Sequence, residues 1–476
     1  MKMADVRITS IDIHNFKNVI SGHLSLENTR KNYRASIVGV YGQNGSGKSA
    51  IIETLDLLRY VLRGQPIPIA FADCINVDSS EATLAFEFRV MLPSGPQTVT
   101  YQFSYKSIVD ESNQNSTMQN QKIQRIVVFN ELLKCPILTD KQIKMGRLID
   151  SDSSAGFSPV AKRKLLTGVD KDNNTDLLVA KKLANASSRS FVFSRELLSM
   201  IRGNVNNRMQ SGSLSDELEF YYTIIESLVH FGNNCLFVVR TSHTGMISLN
   251  AQPLMFKYVE GHNGYQGVIM LPLDNPIDIV KSDKTVVEKI IANMNIVLEQ
   301  LIPGLTIGVR DLGTQVLPNG EQGNRIQLMS HRKGRELPLK YESEGIKKII
   351  SILQLLIVVY NQSSITVAVD ELDSGVFEYL LGELLRIIAE KGKGQLVFTS
   401  HNLRPLETLD KGFVAFTTTN PNHRYVRMVN VKDTNNLRDF YYRDIMLGEQ
   451  DEELYEPTHN AEISFAFREA GEHFDA

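Results

Sequence analysis

The sequence predicts an α/β fold built around a phosphate-binding loop, with an antiparallel β subdomain and a helical insertion. Three observations predict it. The continuous apolar run at residues 36–40 leads into the glycine-rich Gly42-Gln43-Asn44-Gly45-Ser46-Gly47-Lys48-Ser49, and residues 50–58 follow at helical spacing, an order of strand, loop and helix. A second apolar run at 365–369 ends in Asp370-Glu371, which reads as a buried strand delivering two carboxylates to its end. Residues 84–90 and 99–103 flank the turn Pro93-Ser94-Gly95-Pro96, a hairpin signal.

A length of 476 residues allows up to about three domains. Hydrophobic residues at 42% and charged residues at 22% suit a folded chain and exclude collagenous and wholly disordered classes. The formal charge of -3 argues against a polycation that coats nucleic acid or an anionic membrane. The longest apolar stretch, 349–360, is shorter than the roughly 18 to 20 residues of a membrane span and reads as a buried helix. Residues 1–10 have no apolar h-region, so the expected location is cytoplasmic. Cys74, Cys135 and Cys235 are far apart with no Cys-x-x-Cys, which excludes a disulfide scaffold or a cysteine zinc finger and predicts reduced core thiols.

Taken in order, Ile11, Ile13 and Phe16, then residues 23–26, read as strands before the buried run at 36–40. After the hairpin, the polar segments 110–117 and 151–158 read as loops. From 141 to 234 the periodicity is mainly helical; a strand returns at 235–239, a helix spans about 285–301, and no internal repeat is present. The expected division is an N-terminal lobe 1–140, a basic helical insertion 141–234, a C-terminal lobe 235–405 and an extension 406–476 with an acidic segment. Between Lys141 and Arg208 there are 13 cationic and 6 acidic side chains, among them the triplet Lys162-Arg163-Lys164. Solvated surface and docking face are equal readings of that bias, and of the acidic cluster Glu449, Asp451, Glu452, Glu453 and Glu456.

The loop of residues 42–49 matches G-x-x-x-x-G-K-[ST] in full. Its glycines let backbone N–H groups curl around a phosphate, Lys48 supplies a mobile cation for β- and γ-phosphates, and Ser49 offers a hydroxyl to Mg²⁺. Asp370 is the expected second metal ligand and Glu371 the base that polarises the attacking water. Ser343-Glu344-Gly345 opens the apolar helix that leads to the Asp370 strand, an anion site at a helix N-terminus. Strand 395–400 ends at His401, where a γ-phosphate sensor belongs, although a lone histidine after a strand is more often structural.

This order of phosphate loop, Ser-x-Gly helix, Asp-Glu strand, Leu372-Asp373 turn and strand-end histidine resembles the ATP-binding-cassette ATPases, specifically the soluble branch that includes SMC, RecF and OLD proteins. Residues 11–18, Ile-Asp-Ile-His-Asn-Phe-Lys-Asn, resemble that branch's first strand. The wording of residues 342–345 and 370–373 is most similar to the OLD-like ATPases of bacterial anti-phage systems such as Septu, PARIS and AbiLi. The resemblance implies ATP and Mg²⁺ as ligands, held by Gly42, Asn44, Gly45, Ser46, Gly47, Lys48 and Ser49, with the metal on Ser49 and Asp370. It implies that Ser343 and Gly345 contact ATP bound to the opposite subunit, that Asp373 is the D-loop aspartate, that His401 is the switch histidine and that Lys17 is the basic residue following the phenylalanine. It also implies a homodimer or larger assembly.

The signature reads Ser-Glu-Gly, not the Ser-Gly-Gly-Gln of transporters, and the Q-loop glutamine has no assigned place, Gln121 and Gln124 being only weak candidates. Roughly 320 residues separate Lys48 from Asp370 without sustained heptads, which disfavours an SMC-type coiled coil. The segment after His401 is short for a TOPRIM nuclease. The expected function is thus a regulatory ATPase of an anti-phage system that controls a separately encoded effector protein, without a membrane partner. The alternative is a RecF- or SMC-like DNA-repair ATPase that binds DNA through the basic insertion.

Overall fold

The computed structural model describes residues 4–28, 30, 34–110, 123–137, 144–169, 174–240, 251–260, 263–272, 275–318, 320–428, 436–447, 452–456 and 458–472. β1 (Asp5–Phe16) and β2 (Val19–Ser25) pair antiparallel; β3 (Ser36–Tyr41) leaves them for a second sheet and is followed by α1 (Lys48–Leu62). β4 (Glu81–Leu92), β5 (Gly95–Asp110), β6 (Ile123–Ile137), β7 (Lys144–Ser153) and β8 (Gly156–Ser158) return to the first sheet, whose order is β2-β1-β4-β5-β6-β7-β8. Side chains alternate across this sheet: Leu84, Phe86 and Phe88 of β4 are buried while Thr83, Ala85 and Glu87 are only half-buried. The expected hairpin is β4–β5, closed by Pro93 and Ser94 with Leu92 opposite Gly95.

The segment 151–158, expected to be a loop, is instead the end of β7 and the short β8, with Ser151 buried. Its small polar residues hide the pairing of Asp150 with Ser158 and of Ser153 with Gly156. The other expected loop, 110–117, lies outside the described residues apart from Asp110, which ends β5. Helices begin at α2 (Val160–Thr167) and continue through α3 (Thr175–Ala186), α4 (Arg195–Gln210) and α5 (Asp216–Asn234). Ser194 and Ser215 cap α4 and α5 by accepting from the N–H groups of Leu197 and Leu218 at 3.2 and 3.3 Å.

The basic triplet is not a surface patch. Arg163 is 1% exposed and donates to the Ala155 carbonyl at 2.7 Å, and Lys162 is ion-paired with Glu217 of α5 and donates to Tyr221 Oη at 2.9 Å. Arg202 forms a two-pronged pair with Glu226 at 2.7 and 2.9 Å. The acidic residues of α5 thus offset much of the positive bias that precedes them in sequence.

Glu131 of β6 ties the helical insertion to the antiparallel sheet. Its carboxylate is 1% exposed and accepts from Tyr101 Oη at 2.6 Å, from Phe191 N at 2.7 Å, from Val192 N at 3.4 Å and from Ser190 Oγ. Burial raises its pKa above the ordinary 4.5, against the pull of these donors.

Beyond β9 (Leu236–Val239), β10 (Ala251–Glu260) pairs with β11 (Asn263–Pro272). β12 (Ile277–Val280), α6 (Lys281–Leu301), β13 (Leu305–Val316), β14 (Gln322–Arg332) and β15 (Arg335–Pro338) form a smaller α/β unit with strand order β12-β14-β13 and β15 on β14. α7 (Glu344–Asn361), β16 (Thr366–Val369), α8 (Glu378–Lys391), β17 (Gln395–Thr399), α9 (Arg404–Thr408), β18 (Val414–Thr417), β19 (Tyr425–Val426), α10 (Leu437–Leu447) and α11 (Asn460–Glu472) complete the chain. The second sheet has the order β19-β18-β3-β17-β16-β9 and is parallel except for β19. Its central strands, buried at every residue, read as continuous apolar runs because both faces are covered.

One large core joins both sheets and the helical insertion; a smaller one lies among α6, β13 and β14, and α7 contributes to both, through Leu355 and Val359 on one side and Ile350 and Leu353 on the other. The three cysteines are buried and form no disulfide, as expected. No helix among the described residues is long and apolar enough to cross a membrane.

Candidate nucleotide-binding site

The phosphate loop leaves the buried end of β3 and enters α1 at Lys48. Gly42, at φ 151°, is held so close to β18 that a Cβ there would stand 1.8 Å from Thr417 Oγ1. Gly45 and Gly47 take φ of 77° and 95°, left-handed conformations that glycine adopts without steric cost. Lys48 Nζ donates to the carbonyls of Gly42 and Gln43, both at 2.8 Å, so its ammonium lies folded over the loop. Burial lowers its pKa while the charges of Asp370, Glu371 and Asp373 oppose that shift.

Ser49 Oγ donates to Asp370 Oδ1 at 3.1 Å, and Thr399 Oγ1 donates to the same oxygen at 2.7 Å. Thr399 also accepts from Glu371 N at 2.8 Å, which locks the ends of β16 and β17 together. Glu371 has a left-handed backbone, φ 49°, and its carbonyl accepts from Lys348 Nζ of α7 at 2.7 Å. The Lys348 pKa is lowered by burial and supported by Asp373, Glu371 and Asp370. Asp373 Oδ2 accepts from the N–H groups of His401 and Asn402 at 3.0 and 2.9 Å, fixing the turn that carries the histidine.

A cleft of 430 Å³ opens here, and Lys17, Asn44, Gly45, Gly47, Lys48, Ser49, Glu371 and His401 line it together with Asn18, Ala50 and Thr399. Gly42 and Ser46 shape the loop from behind, and Asp370 reaches the cleft through Ser49. Ser343 and Gly345 are not in it. Ser343 is exposed and caps α7 by accepting from Ile346 N at 3.4 Å; a Cβ on Gly345 would stand 2.0 Å from the Gly375 carbonyl. Lys17, at φ 52°, forms an ion pair with Glu53 of α1, whose other oxygen accepts from Arg240 at 3.1 Å. Gln124 sits in β6 and donates to Ser107 Oγ at 2.7 Å, outside the cleft, and Gln121 lies outside the described residues.

Several groups that hold the loop escape sequence reasoning. Thr417 Oγ1 bonds Ser46 Oγ at 2.5 Å, Tyr425 Oη donates to the Gly47 carbonyl at 2.8 Å, Arg424 donates to the Asn18 carbonyl at 2.7 Å and Glu456 N donates to Gln43 Oε1 at 3.0 Å. The first three are single polar residues far along the chain with no motif around them, and Glu456 contributes its backbone N–H, not the charge that marks its cluster. Of the acidic cluster, Glu452 accepts from His423 and Asn420, which lowers its pKa; Glu449 and Asp451 lie outside the described residues.

The donor set fits a phosphate-bound Mg²⁺: one hydroxyl and one carboxylate side by side are the few oxygens such an ion takes from protein, the rest coming from phosphate and water. No larger His, Cys, Asp or Glu cluster occurs among the described residues.

No family model and no curated protein matches this sequence. Among solved structures, the Smc head domain of Pyrococcus furiosus with an extended coiled coil, bound to the C-terminal domain of ScpA, is similar at a TM-score of 0.40 and 13% identity over 89% of this chain and 96% of that one. The SMC head domain of Thermotoga maritima gives 0.36 and 13% over 89% and 99%. The recombination mediator RecF in its ATP form gives 0.32 and 14% over 83% and 94%. At these values the similarity is one of outline, and what the cleft can do is decided by its own residues.

Proposed function

We propose that this chain is a Mg²⁺-dependent ATPase of the ATP-binding-cassette type, active as a homodimer or larger assembly through shared ATP sites. The observation that carries the proposal is that Lys48, Ser49 and Glu371 line one cleft, with Asp370 hydrogen-bonded to Ser49 beneath it. Loop N–H groups and Lys48 hold the β- and γ-phosphates. Bound Mg²⁺ supplies neutralisation of the phosphate oxygens. Glu371 accepts the proton of the water whose oxygen bonds to the γ-phosphorus as the bond to the ADP oxygen breaks, and His401, at the cleft edge, steadies the γ-phosphate.

Ser343 is exposed and does not line its own cleft, which suits a role at the nucleotide of a second chain. Mixing Lys48→Ala chains with Ser343→Arg chains should restore up to one working site per heterodimer in a turnover assay. Full turnover by a monomer, shown by light scattering at the assay concentration, would remove the shared-site reading.

The finer role we propose is regulation: ATP turnover governs the hold on a separately encoded effector of an anti-phage system. Supporting it is the wording of residues 342–345 and 370–373, together with the absence of a clustered basic face at Lys162-Arg163-Lys164, where Arg163 is buried and Lys162 ion-paired. The RecF- or SMC-like DNA-repair reading shares the ATP chemistry and differs in the ligand. Salt-titrated DNA binding by the full chain, beside co-purification with the product of the neighbouring gene, separates them: tight binding with a steep salt slope and no co-purified protein supports repair.

A further inference from the structure

Glu371 follows its strand in a conformation that few residues with a Cβ adopt. Its φ of 49° is left-handed, and such a backbone persists only where the surroundings hold it. Three groups do so here. Thr399 Oγ1 accepts the Glu371 N–H at 2.8 Å, Ser374 N donates to the Glu371 carbonyl at 3.1 Å across the turn, and Lys348 Nζ donates to the same carbonyl at 2.7 Å. The first two belong to the sheet and to the turn itself. Lys348 arrives from α7.

Helix packing gives no reason for a lysine at that position. Lys348 is 3% exposed, on the face of α7 that also buries Ser351, Ile352 and Leu355, and burying an ammonium costs far more than burying a methionine or leucine of similar volume. The offset lies at its far end. Burial lowers the Lys348 pKa, and the charges of Asp373, Glu371 and Asp370 oppose that shift. Lys48 meets the same three carboxylates, but it lines the cleft and in the proposed reaction turns to the phosphates. Lys348 does not line the cleft and stays with the carboxylates. The helix that carries it is capped by Ser343, about 7.5 Å away along the axis, and Gly345 lies so near the turn after Glu371 that a Cβ there would stand 2.0 Å from the Gly375 carbonyl. One helix thus braces that turn at two places.

We infer, resting on the proposed role of Glu371 as the base, that Lys348 is a positioning residue for ATP hydrolysis: its ammonium holds the Glu371 carbonyl so that the carboxylate stays directed into the cleft. Lys348 acts through Glu371 and has no part in the phosphate cradle. Its loss misplaces the base and spares nucleotide binding.

The test measures single-turnover hydrolysis of radiolabelled ATP by the full chain with Mg²⁺ at saturating ATP. Rates are counted per site that binds a fluorescent ATP analogue, so unfolded chains do not enter. Lys348→Met keeps a long unbranched side chain and removes the N–H donors. In the parent it should lower the rate about 100-fold, the effect of a displacement of about 1 Å at a reacting group, with the ATP Kd within about twofold of the parent value. In the Glu371→Gln background it should change the residual rate by less than about twofold, because residues that act as one unit are not additive. A general lesion in α7, or a displaced Ser343, would lower both rates alike, and that result overturns the inference. So does a Lys348→Met rate equal to the parent's. If Lys348→Met gives no folded protein, Lys348→Gln, whose shorter side chain draws the donor back, is read in the same two backgrounds by the same criteria. A Glu371→Gln chain as fast as the parent removes the base assignment and the inference with it, whereas a slow Glu371→Gln beside a Lys348→Met of parental rate removes the inference alone.

Discussion

Glu131, within β6 of the antiparallel sheet, and Glu371, just past the end of β16 of the parallel sheet, are treated by the chain in opposite ways. Glu131 is enclosed and surrounded by donors from Tyr101, Ser190, Phe191 and Val192. Glu371 is half-buried at a cleft, and among the described residues its carboxylate makes no hydrogen bond; its backbone alone is fixed, by Thr399 and Lys348. A carboxylate whose lone pairs are used up by its own protein can only hold structure. One whose backbone is clamped while its oxygens remain available is placed to act on something that arrives. The difference lies in the surroundings of the two residues, not in residue type.

The largest effect that sharpens this contrast is on turnover. Glu371→Gln should lower ATP hydrolysis by about 10²- to 10⁴-fold, the contribution of a positioned base, while ATP binding and the urea midpoint stay near parental values. A loss of stability comparable to the loss of rate would break the comparison. Glu131→Ala should do the reverse: it strands several buried donors and should cost about 3 kcal/mol or more in urea unfolding, with the ATP affinity of the remaining folded protein little changed.

The helical insertion extends the test. Arg163→Glu places a carboxylate where a buried guanidinium meets a carbonyl and should cost about 3 to 5 kcal/mol, whereas Lys164→Glu, at an exposed position, should stay within about 0.5 kcal/mol. Equal effects would restore the triplet as one surface patch. The smallest effect is on pH. Because burial raises the pKa of Glu131 above 4.5, the stability linked to its proton is fully present below that value and is lost as pH rises through the folded-state pKa. Unfolding curves taken at rising pH should show the parent losing stability relative to Glu131→Gln; a constant difference would mean that the carboxylate is ionised throughout.

How much of this was legible follows from how far each signal reaches along the chain. The loop 42–49 and the strand ending at Asp370-Glu371 announce themselves because their chemistry is written in consecutive residues. Thr399 is invisible as the partner that joins Asp370 to Glu371, since a threonine at a strand end has many uses. Glu131 is one polar residue in β6, and its donors come from Tyr101, thirty residues earlier in β5, and from a turn about sixty residues later. The strands β10–β15 leave no clear alternation, since their turns and register are set by packing on α6 and α7. The basic triplet misleads for a related reason: the carboxylate that pairs with Lys162 is on α5, beyond the window in which the charges were counted.

The position of β3 has a consequence in time. Its neighbours in the sheet are β17 and β18, so the strand that carries the phosphate loop has no pairing partner until roughly 350 further residues have been made. At about 5 to 20 residues per second on a ribosome, that is a wait of the order of a minute or less, during which β1, β2, β4 and β5 can already pair with one another. The loop then acquires its last supports from Thr417, Tyr425 and Glu456. A nascent chain therefore lacks the fully braced loop until synthesis has passed these residues.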